Sequence, residues 1–315
     1  MASANQELIE QLQILLDQSR MGKDPNDRFR AKSYKEAIEK IKSVPDKITE
    51  ASQIPLTKTS KTYGKVLEFL EQGKIKQSQK ILEKNKDTFD IYRELQLIAE
   101  VGPSKAKTLV DTHGIRSMDD LAKNLHLLND KQKVGFKYYK TDQLRIPRDE
   151  ILEHQKIYTD ISSKISGLEF TITGSFRREA KDSGDIDILL THPEDDSNVF
   201  RTFVDNLISR KYLIDHLAYG EKKYMGYGSL SNGTPRRIDI LYCSPQEYPF
   251  AILYFTGSGP FNVKMRSHAT SLGYKLNEKG LIDISTNDYV DEVFTHEEDI
   301  FLYLDMEYVE PKDRK

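Results

Sequence analysis

Asp185 and Asp187 close the run Gly174-Ser-Phe-Arg-Arg-Glu-Ala-Lys-Asp-Ser-Gly-Asp-Ile-Asp and lead into Ile188-Leu-Leu190. Side chains alternate faces along a strand, so two carboxylates two residues apart share one face while Ile186 and Ile188 take the core face. Like charges held side by side repel, and one tends to take a proton. A divalent cation removes that conflict, and hard oxygen ligands suit Mg²⁺. Upstream, Gly174-Ser175 follows the apolar run Phe170-Thr-Ile-Thr173, where a strand-to-helix turn can offer backbone N–H groups to a phosphate. Arg177 and Arg178 lie just inside that turn. A third carboxylate, Asp239, is the one polar residue of Ile238-Asp-Ile-Leu241. Three carboxylates from two strands can hold two cations that clamp the attacking and leaving oxygens of an in-line displacement. For Asp239 a satisfied core carboxylate beside Arg237 is the bland alternative, and for Asp185 and Asp187 a lone loop pair. The favoured chemistry is phosphoryl or nucleotidyl transfer.

The elements that must position these groups differ along the chain. Residues 6–148 carry helical periodicity: Leu8, Ile9, Leu12, Leu15 and Leu16 form one stripe, and Tyr34, Ala37, Ile38 and Ile41 another that ends near Val44-Pro45. Lys65–Gln72 and Lys76–Lys86 continue the pattern, with Gly73 as a break. Val101-Gly-Pro-Ser104 runs straight into a helix predicted at Lys105–Thr112. Gly102 permits close backbone approach, Pro103 suits a first helical turn and Ser104 is small. This is a helix-hairpin-helix pattern, whose N–H groups hold a DNA phosphate without reading sequence; a plain helical corner is the alternative.

Arg145-Ile-Pro-Arg148 reads as a linker or domain edge, followed by a helix at Arg148–Ser163. Strands are then predicted at Glu169–Thr173, Asp185–Thr191, Met225–Leu230 and Arg237–Cys243, with a helix near Asn198–Arg210 between them. Gly220–Gly233, carrying Gly226, Gly228, Asn232 and Gly233, reads as a hairpin. Tyr254-Phe-Thr-Gly-Ser258 reads as a turn leading into a helix at Phe261–Leu272. The second half is therefore an α+β module with a mixed sheet.

At 315 residues the chain can bury more than one core. A net charge of −3 hides a polarity: Gly280 onward carries 3 basic and 11 acidic residues, whereas Arg20–Asp90 carries 17 basic and 11 acidic. A basic amino-terminal module fits local phosphate binding, as it also fits a solvated helical surface. The single cysteine, Cys243, excludes an internal disulfide and a thiolate zinc site, and its place after an apolar strand predicts a buried or half-buried thiol. With no run of transmembrane length and no signal-peptide pattern, an intracellular protein without membrane attachment is expected. Tryptophan is absent, so base stacking falls to Tyr, Phe or His.

Six runs in order, Gly174-Ser-Phe-Arg-Arg178, Ser183-Gly-Asp-Ile-Asp187, Leu190-Thr-His-Pro193, Arg236-Arg-Ile-Asp-Ile240, Tyr254-Phe-Thr-Gly-Ser258 and Glu310-Pro-Lys-Asp-Arg314, resemble the X family of DNA polymerases in its polymerase-beta form. Weaker similarity reaches back to about residue 10, whereas the Gly-Ser and Asp-x-Asp core alone implies only the wider nucleotidyltransferase superfamily. The resemblance implies an α+β fold: helical lyase-like and helix-hairpin-helix modules at 1–88 and 89–148, a nucleotidyltransferase palm with a mixed β-sheet at 149–245, and a small nucleotide-selecting α+β subdomain at 246–315. It implies that Asp185 and Asp187 ligate two Mg²⁺ ions (Mn²⁺ able to substitute), that Asp239 ligates the catalytic one and receives the primer 3′-hydroxyl proton, and that Arg237 orients Asp239. Ser175, Arg178 and Gly184 hold the triphosphate. Tyr254 and Phe255 pack on the deoxyribose, with Gly257 beside them, and that pair favours templated synthesis. Asn262 reads the minor-groove edge of the new base and Arg266 approaches the template.

The resemblance further implies a deoxyribose-phosphate lyase whose Schiff-base lysine is Lys65. Such chemistry needs a neutral amine, and the neighbouring cations Lys58, Lys61 and Arg30 lower a lysine pKa. Gly102, Ser104, Lys105, Arg266, Arg30 and Lys61 are the implied DNA contacts, with a monovalent cation at the helix-hairpin-helix turns. Gapped or nicked DNA, dNTP and other base-excision-repair proteins are the implied partners of a monomeric nuclear enzyme. The rivals are template-independent nucleotide transfer and a gap-binding module without lyase activity. The chain departs from the family pattern at Thr57-Lys-Thr59 (Gly-x-Gly in the family), Gly64, Gln77, Phe29, Glu100, Gly259 and Leu241.

Overall fold

The fold is that of a computed structural model describing residues 5–22, 24–44, 46–231 and 233–314, with Asn85 described by its backbone only. Pro45 and Asn232, each part of a sequence expectation above, lie outside the described residues. The chain divides into two compact units, 1–133 and 134–315.

The first unit is helical: α1 (Gln6–Met21), α2 (Asp27–Lys42), α3 (Lys61–Gln72), α4 (Lys76–Leu95), α5 (Pro103–Asp111) and α6 (Met118–Lys123), with the unit boundary falling inside α7 (Asp130–Tyr138). The α1 stripe Leu8, Leu12, Leu15 and Leu16 packs with Ala37, Ile38 and Ile41 of α2 and with Val66 of α3. Each such fully buried aliphatic side chain contributes about 1.5–3 kcal/mol. The Ser60 hydroxyl caps α3 by accepting from the Tyr63 N–H, and Gly73 ends the helix at φ 69°, a left-handed conformation that favours glycine. Helix α4 runs past the expected Lys86 to Leu95, because Phe89, Tyr92 and Leu95 carry its apolar face onward into the core. Gly102 is the N-cap of α5 and Pro103 its first residue, as the Val-Gly-Pro-Ser pattern predicts.

The second unit continues with β1 (Ile146–Pro147), α8 (Arg148–Ser162), β2 (Glu169–Ile172), the single turn α9 (Gly174–Arg177), β3 (Asp182–Ser183), β4 (Ile186–Thr191), α10 (Asn198–Ser209), β5 (Leu213–Tyr219), β6 (Lys223–Gly228) and β7 (Arg236–Tyr242). It ends with α11 (Tyr248–Thr256), α12 (Gly259–Ser271), β8 (Tyr274–Leu276), β9 (Leu281–Asp283) and α13 (Glu297–Tyr303). Five strands form a mixed sheet in the order β2-β4-β7-β6-β5; β4 and β7 are parallel and the other pairs antiparallel. Ile186, Ile188, Ile238 and Ile240 pack under α8 and α10 with Tyr158, Phe200 and Phe203. On the opposite face Leu189 packs with Ala251, Ile252 and the buried Cys243. Strand β4 is thus covered on both faces beyond Asp187, which explains its near-continuous apolar run.

Several expectations need correction. Of the two readings of Arg145–Arg148, linker or domain edge, a free linker is excluded, since Ile146 and Pro147 pair with Ser183 and Asp182. Gly220–Gly233 holds one strand, β6, whose hairpin partner is the preceding β5, a strand the sequence did not announce. Two register shifts interrupt β5 and blur its period-2 alternation. Tyr254, Phe255 and Thr256 are the last turn of α11; the turn itself begins at Gly257, with φ 67° and a cis bond to Ser258. Asp185 immediately precedes β4 instead of opening it. Among the described residues no helix is long and apolar enough to cross a membrane.

Candidate active site

Register brings the carboxylates together. Asp187 on β4 and Asp239 on β7 are directly paired across the parallel ladder, flanked by Ile186–Ile238 and Ile188–Ile240 pairs that fix the apolar face. A one-residue slip would turn both carboxylates into the core. Burial, and then the charges of Asp185 and Asp239, push the Asp187 carboxyl up to about 7. The Asp185 carboxyl, although its side chain reaches solvent, is pushed upward by its crowded surroundings and by Asp239. Gly174 stands against this cluster with φ 58°, and a Cβ there would lie 2.7 Å from Asp187 Oδ2. Both constraints require glycine at the turn.

Asp239 is engaged by its own strand neighbour. Arg237 Nε donates to Asp239 Oδ1 at 2.7 Å and Nη2 reaches Oδ2 at 3.4 Å. Among the described residues no three Asp, Glu, His or Cys side chains stand together as a metal-holding group. The donor set nevertheless fits a hard divalent cation: Asp185 and Asp187 offer oxygen ligands whose proton affinity is raised first by burial and then by neighbouring carboxylates, a conflict that a cation relieves. Asp239, held by Arg237, does not line the cleft with them.

One cleft of about 420 Å³ gathers nearly all the other predicted nucleotide ligands: Ser175, Arg178, Gly184, Asp185, Asp187, Tyr254, Phe255, Gly257 and Asn262 line it together. The Ser175 hydroxyl donates to Ser183 Oγ at 2.7 Å, and Arg178 Nη1 donates to the Thr256 carbonyl at 2.5 Å. Asn262 Nδ2 donates to the Tyr254 carbonyl at 2.7 Å, and the Arg266 guanidinium lies 4.7 Å from the Tyr254 ring centroid. Arg177, which the sequence places beside Arg178, turns away from the cleft. It bonds Glu297 Oε1 at 2.7 Å, in a network that Arg314 and Tyr308 complete.

The amino-terminal predictions are placed differently. Lys65, Lys61, Arg30 and Phe29 line one wide groove of about 1,580 Å³. The charge paired with Lys65 is a carboxylate: Nζ lies 3.0 Å from Glu68 Oε2, while Glu68 Oε1 accepts the Lys76 N–H at 2.9 Å. Lys58 does not line the groove, and Arg30 pairs with Asp24 and Asp27. Of the expected cations, Lys61 and Arg30 therefore share the groove with Lys65, together with Lys76, Lys80 and Lys84, while Lys58 does not. Lys105 Nζ donates to the Leu127 carbonyl at 2.5 Å, so its ammonium is tied within its own unit.

Sequence reasoning missed Arg145 and Asp142. Arg145 adds a second guanidinium to the cleft beside Arg178 and pairs with Asp182 at 2.8 Å. Its position just ahead of Ile-Pro was visible, but its pairing with residues of the Ser-Gly-Asp loop was not. Asp142 accepts a 2.7 Å hydrogen bond from Tyr227, a contact that no local pattern announces.

Three family descriptions match in succession: the fingers domain of DNA polymerase lambda over residues 93–141, the DNA polymerase beta palm over 145–245 and the DNA polymerase beta thumb over 251–315. DNA polymerase lambda of Rattus norvegicus is 31% identical over 311 residues, covering 91% of this chain and 53% of that protein. DNA polymerase lambda of Arabidopsis thaliana is 27% identical, covering 90% and 58%. The DNA-directed DNA/RNA polymerase mu of Homo sapiens is 23% identical, covering 87% and 62%. The chain thus spans a little over half the length of the curated relatives it matches. The resemblance to the beta form is refined accordingly: palm and thumb match the beta descriptions, but the fingers and these whole-chain relatives are of lambda and mu type. By these contiguous domains, which together account for more than half of its residues, the chain belongs to the X family of DNA polymerases.

Proposed function

We propose that the chain is a DNA-directed DNA polymerase of repair type, filling short gaps by nucleotidyl transfer from dNTP to a primer 3′-hydroxyl with release of pyrophosphate. The observation that carries this reading is the single cleft in which Ser175 and Arg178 stand beside Asp185 and Asp187 and under Tyr254 and Phe255. Ser175, Arg178 and Gly184 bind the triphosphate, with Arg145 supplying further positive charge. Tyr254 and Phe255 pack on the sugar. Asp185 and Asp187 would hold two Mg²⁺ ions (or Mn²⁺), and Asp239 the catalytic one. Bound divalent cations would supply charge neutralisation at the attacking and leaving oxygens. Asp239, released by Arg237, takes the 3′-hydroxyl proton at a carboxylate oxygen, and the preorganised guanidinium groups stabilise charge that develops on the phosphates.

The four-part division at 88, 148 and 245, DNA contacts at Gly102, Ser104, Lys105 and Arg266, a monovalent cation at the hairpin turns, a monomeric state and a nuclear site belong to the same proposal. The test is single-nucleotide incorporation on gapped duplex against a single-stranded primer. Extension confined to templated substrate supports the reading, and equal extension of the single strand moves it to template-independent transfer.

A second activity, 5′-deoxyribose-phosphate lyase, has support in the groove that brings Lys65 together with Lys61, Arg30 and Phe29. The amine must leave Glu68 before it attacks. Borohydride trapping on a 5′-deoxyribose-phosphate end tests it: an adduct that disappears in Lys65→Ala supports the assignment, and one that persists refutes it.

A further inference from the structure

Arg237 hydrogen-bonds one carboxylate of the predicted set, has Asp185 and Asp187 in its field, and faces a further carboxylate outside that set. On one side it holds Asp239. On the other, Tyr227 is its directly paired neighbour across the antiparallel β6–β7 ladder, so both side chains rise from the same face of the sheet. Tyr227 is fully buried, and its hydroxyl donates to Asp142 Oδ2 at 2.7 Å. Burial and then Asp142 keep the Tyr227 hydroxyl protonated, and the Arg237 guanidinium partly offsets the charge of Asp142.

The geometry is built, since the Tyr227 ring stacks on Tyr138 with centroids 4.1 Å apart. The Tyr138 hydroxyl in turn donates to Asp215 Oδ2 at 2.5 Å, and Lys137 reaches the same oxygen at 2.7 Å. Residues 137–142 are thereby fastened to β5 and β6 at two carboxylates. Asp142 is half-buried and has no basic side chain of its own in hydrogen-bond contact; burial accordingly pushes its carboxyl upward. The cation nearest to offsetting its charge is Arg237.

We propose that Asp142, acting through the Tyr227 hydroxyl, is a positioning residue for nucleotidyl transfer: it is the counter-anchor that gives Arg237 a second anionic partner, so that Asp239 can release the guanidinium and turn into the cleft. One cation shared by two anions is held less tightly by either than by one alone. Neutralising Asp142 leaves Arg237 with carboxylates of the predicted set alone, Asp239 in hydrogen-bond contact and Asp185 and Asp187 in its field, and keeps Asp239 withdrawn. The proposal rests on the polymerase reading above.

The test combines kinetics with a readout that needs no turnover. In single-turnover gap filling, Asp142→Asn and Tyr227→Phe are each expected to slow the maximal rate about tenfold while leaving the dNTP concentration for half-maximal rate within about twofold. Asp142→Glu should recover most of the loss. In an Arg237→Ala background Asp142→Asn should add nothing further. Independently, in the full-length protein carrying ¹⁵N-arginine, the Arg237 Nε–H resonance, assigned with Arg237→Lys, should shift and exchange more slowly in Asp142→Asn. Tyr227→Phe keeps the ring on Tyr138 and removes only the hydroxyl, so it carries the test should Asp142→Asn fail to fold. An unmoved Arg237 resonance, a rate within twofold of wild type, or an equal loss with and without Arg237 overturns the proposal. A wild-type protein inactive on gapped DNA overturns the polymerase reading instead, and the resonance still decides whether Asp142 acts on Arg237.

Discussion

The β-sheet site around Asp187 and the helical groove around Lys65 solve the placement of charge in opposite ways. In the sheet, paired register holds Asp187 beside Asp239, and hydrogen bonds to backbone on both sides leave neither strand free to slip. Like charges are forced together and their repulsion is stored for a ligand to relieve. In the helical unit, Lys65 sits on α3 with a flexible four-carbon stem and neutralises itself on Glu68 one turn away. Both sites hold a reacting group on a partner, Asp239 on Arg237 and Lys65 on Glu68, but in the strand site the sheet fixes where the released carboxylate stands. Rigid backbone pairing, more than the identity of the residues, separates a site with fixed reacting positions from one on a flexible stem.

The largest expected effect tests the strand side of that contrast. Asp239→Ala should lower single-nucleotide incorporation about a thousandfold or more, with gap binding by fluorescence anisotropy unchanged, since several kcal/mol of charge stabilisation depend on these carboxylates. Unchanged incorporation would sink the assignment.

Next comes the buried core beneath the sheet. His154 is completely buried, its Nδ1 within 2.6 Å of the Tyr212 hydroxyl. Burial first, and Arg236 as well, depress its pKa from 6.5 to about 4 against the pull of Glu150. The unfolded chain therefore binds a proton that the folded one refuses between those values, and stability falls as pH falls through that window. The stability difference between wild type and His154→Gln should shrink by up to about 3 kcal/mol from pH 7 to pH 4, read by urea denaturation at each pH.

Gly174→Ala should cost about 1–3 kcal/mol of backbone strain and slow incorporation roughly tenfold by displacing Asp187. A fully active, equally stable Gly174→Ala protein would show that the cluster yields more readily than its register suggests. The smallest effect probes the groove: Glu68→Gln should raise the initial rate of borohydride-trapped adduct about threefold by freeing the Lys65 amine, a partly solvated ion pair being worth about 1 kcal/mol or less. A slower rate would make Glu68 a participant in the chemistry.

Much of the active-site composition was legible locally. Period-2 alternation put Asp187 on the face opposite Ile186 and Ile188, and Gly-Ser before a short helix marked the turn that carries Ser175. What stayed hidden was long-range. Strand β5 escaped because its bulges break alternation, and Arg177 was grouped with Arg178 although it reaches Glu297, 120 residues away. The carboxylate partners of Lys65 and Arg30 were equally hidden, because local spacing does not show which opposite charge a flexible side chain will reach.

The sequence by itself determined which carboxylates could share a face, where glycine was required and which family the motif order belongs to, since these follow from periodicity and covalent spacing. Only the tertiary structure decided that β7 lies between β4 and β6. That order sets Asp239 against Asp187 on one side and Arg237 against Tyr227 and Asp142 on the other. Strand order arises from how distant apolar faces cover one another, and no local pattern encodes it.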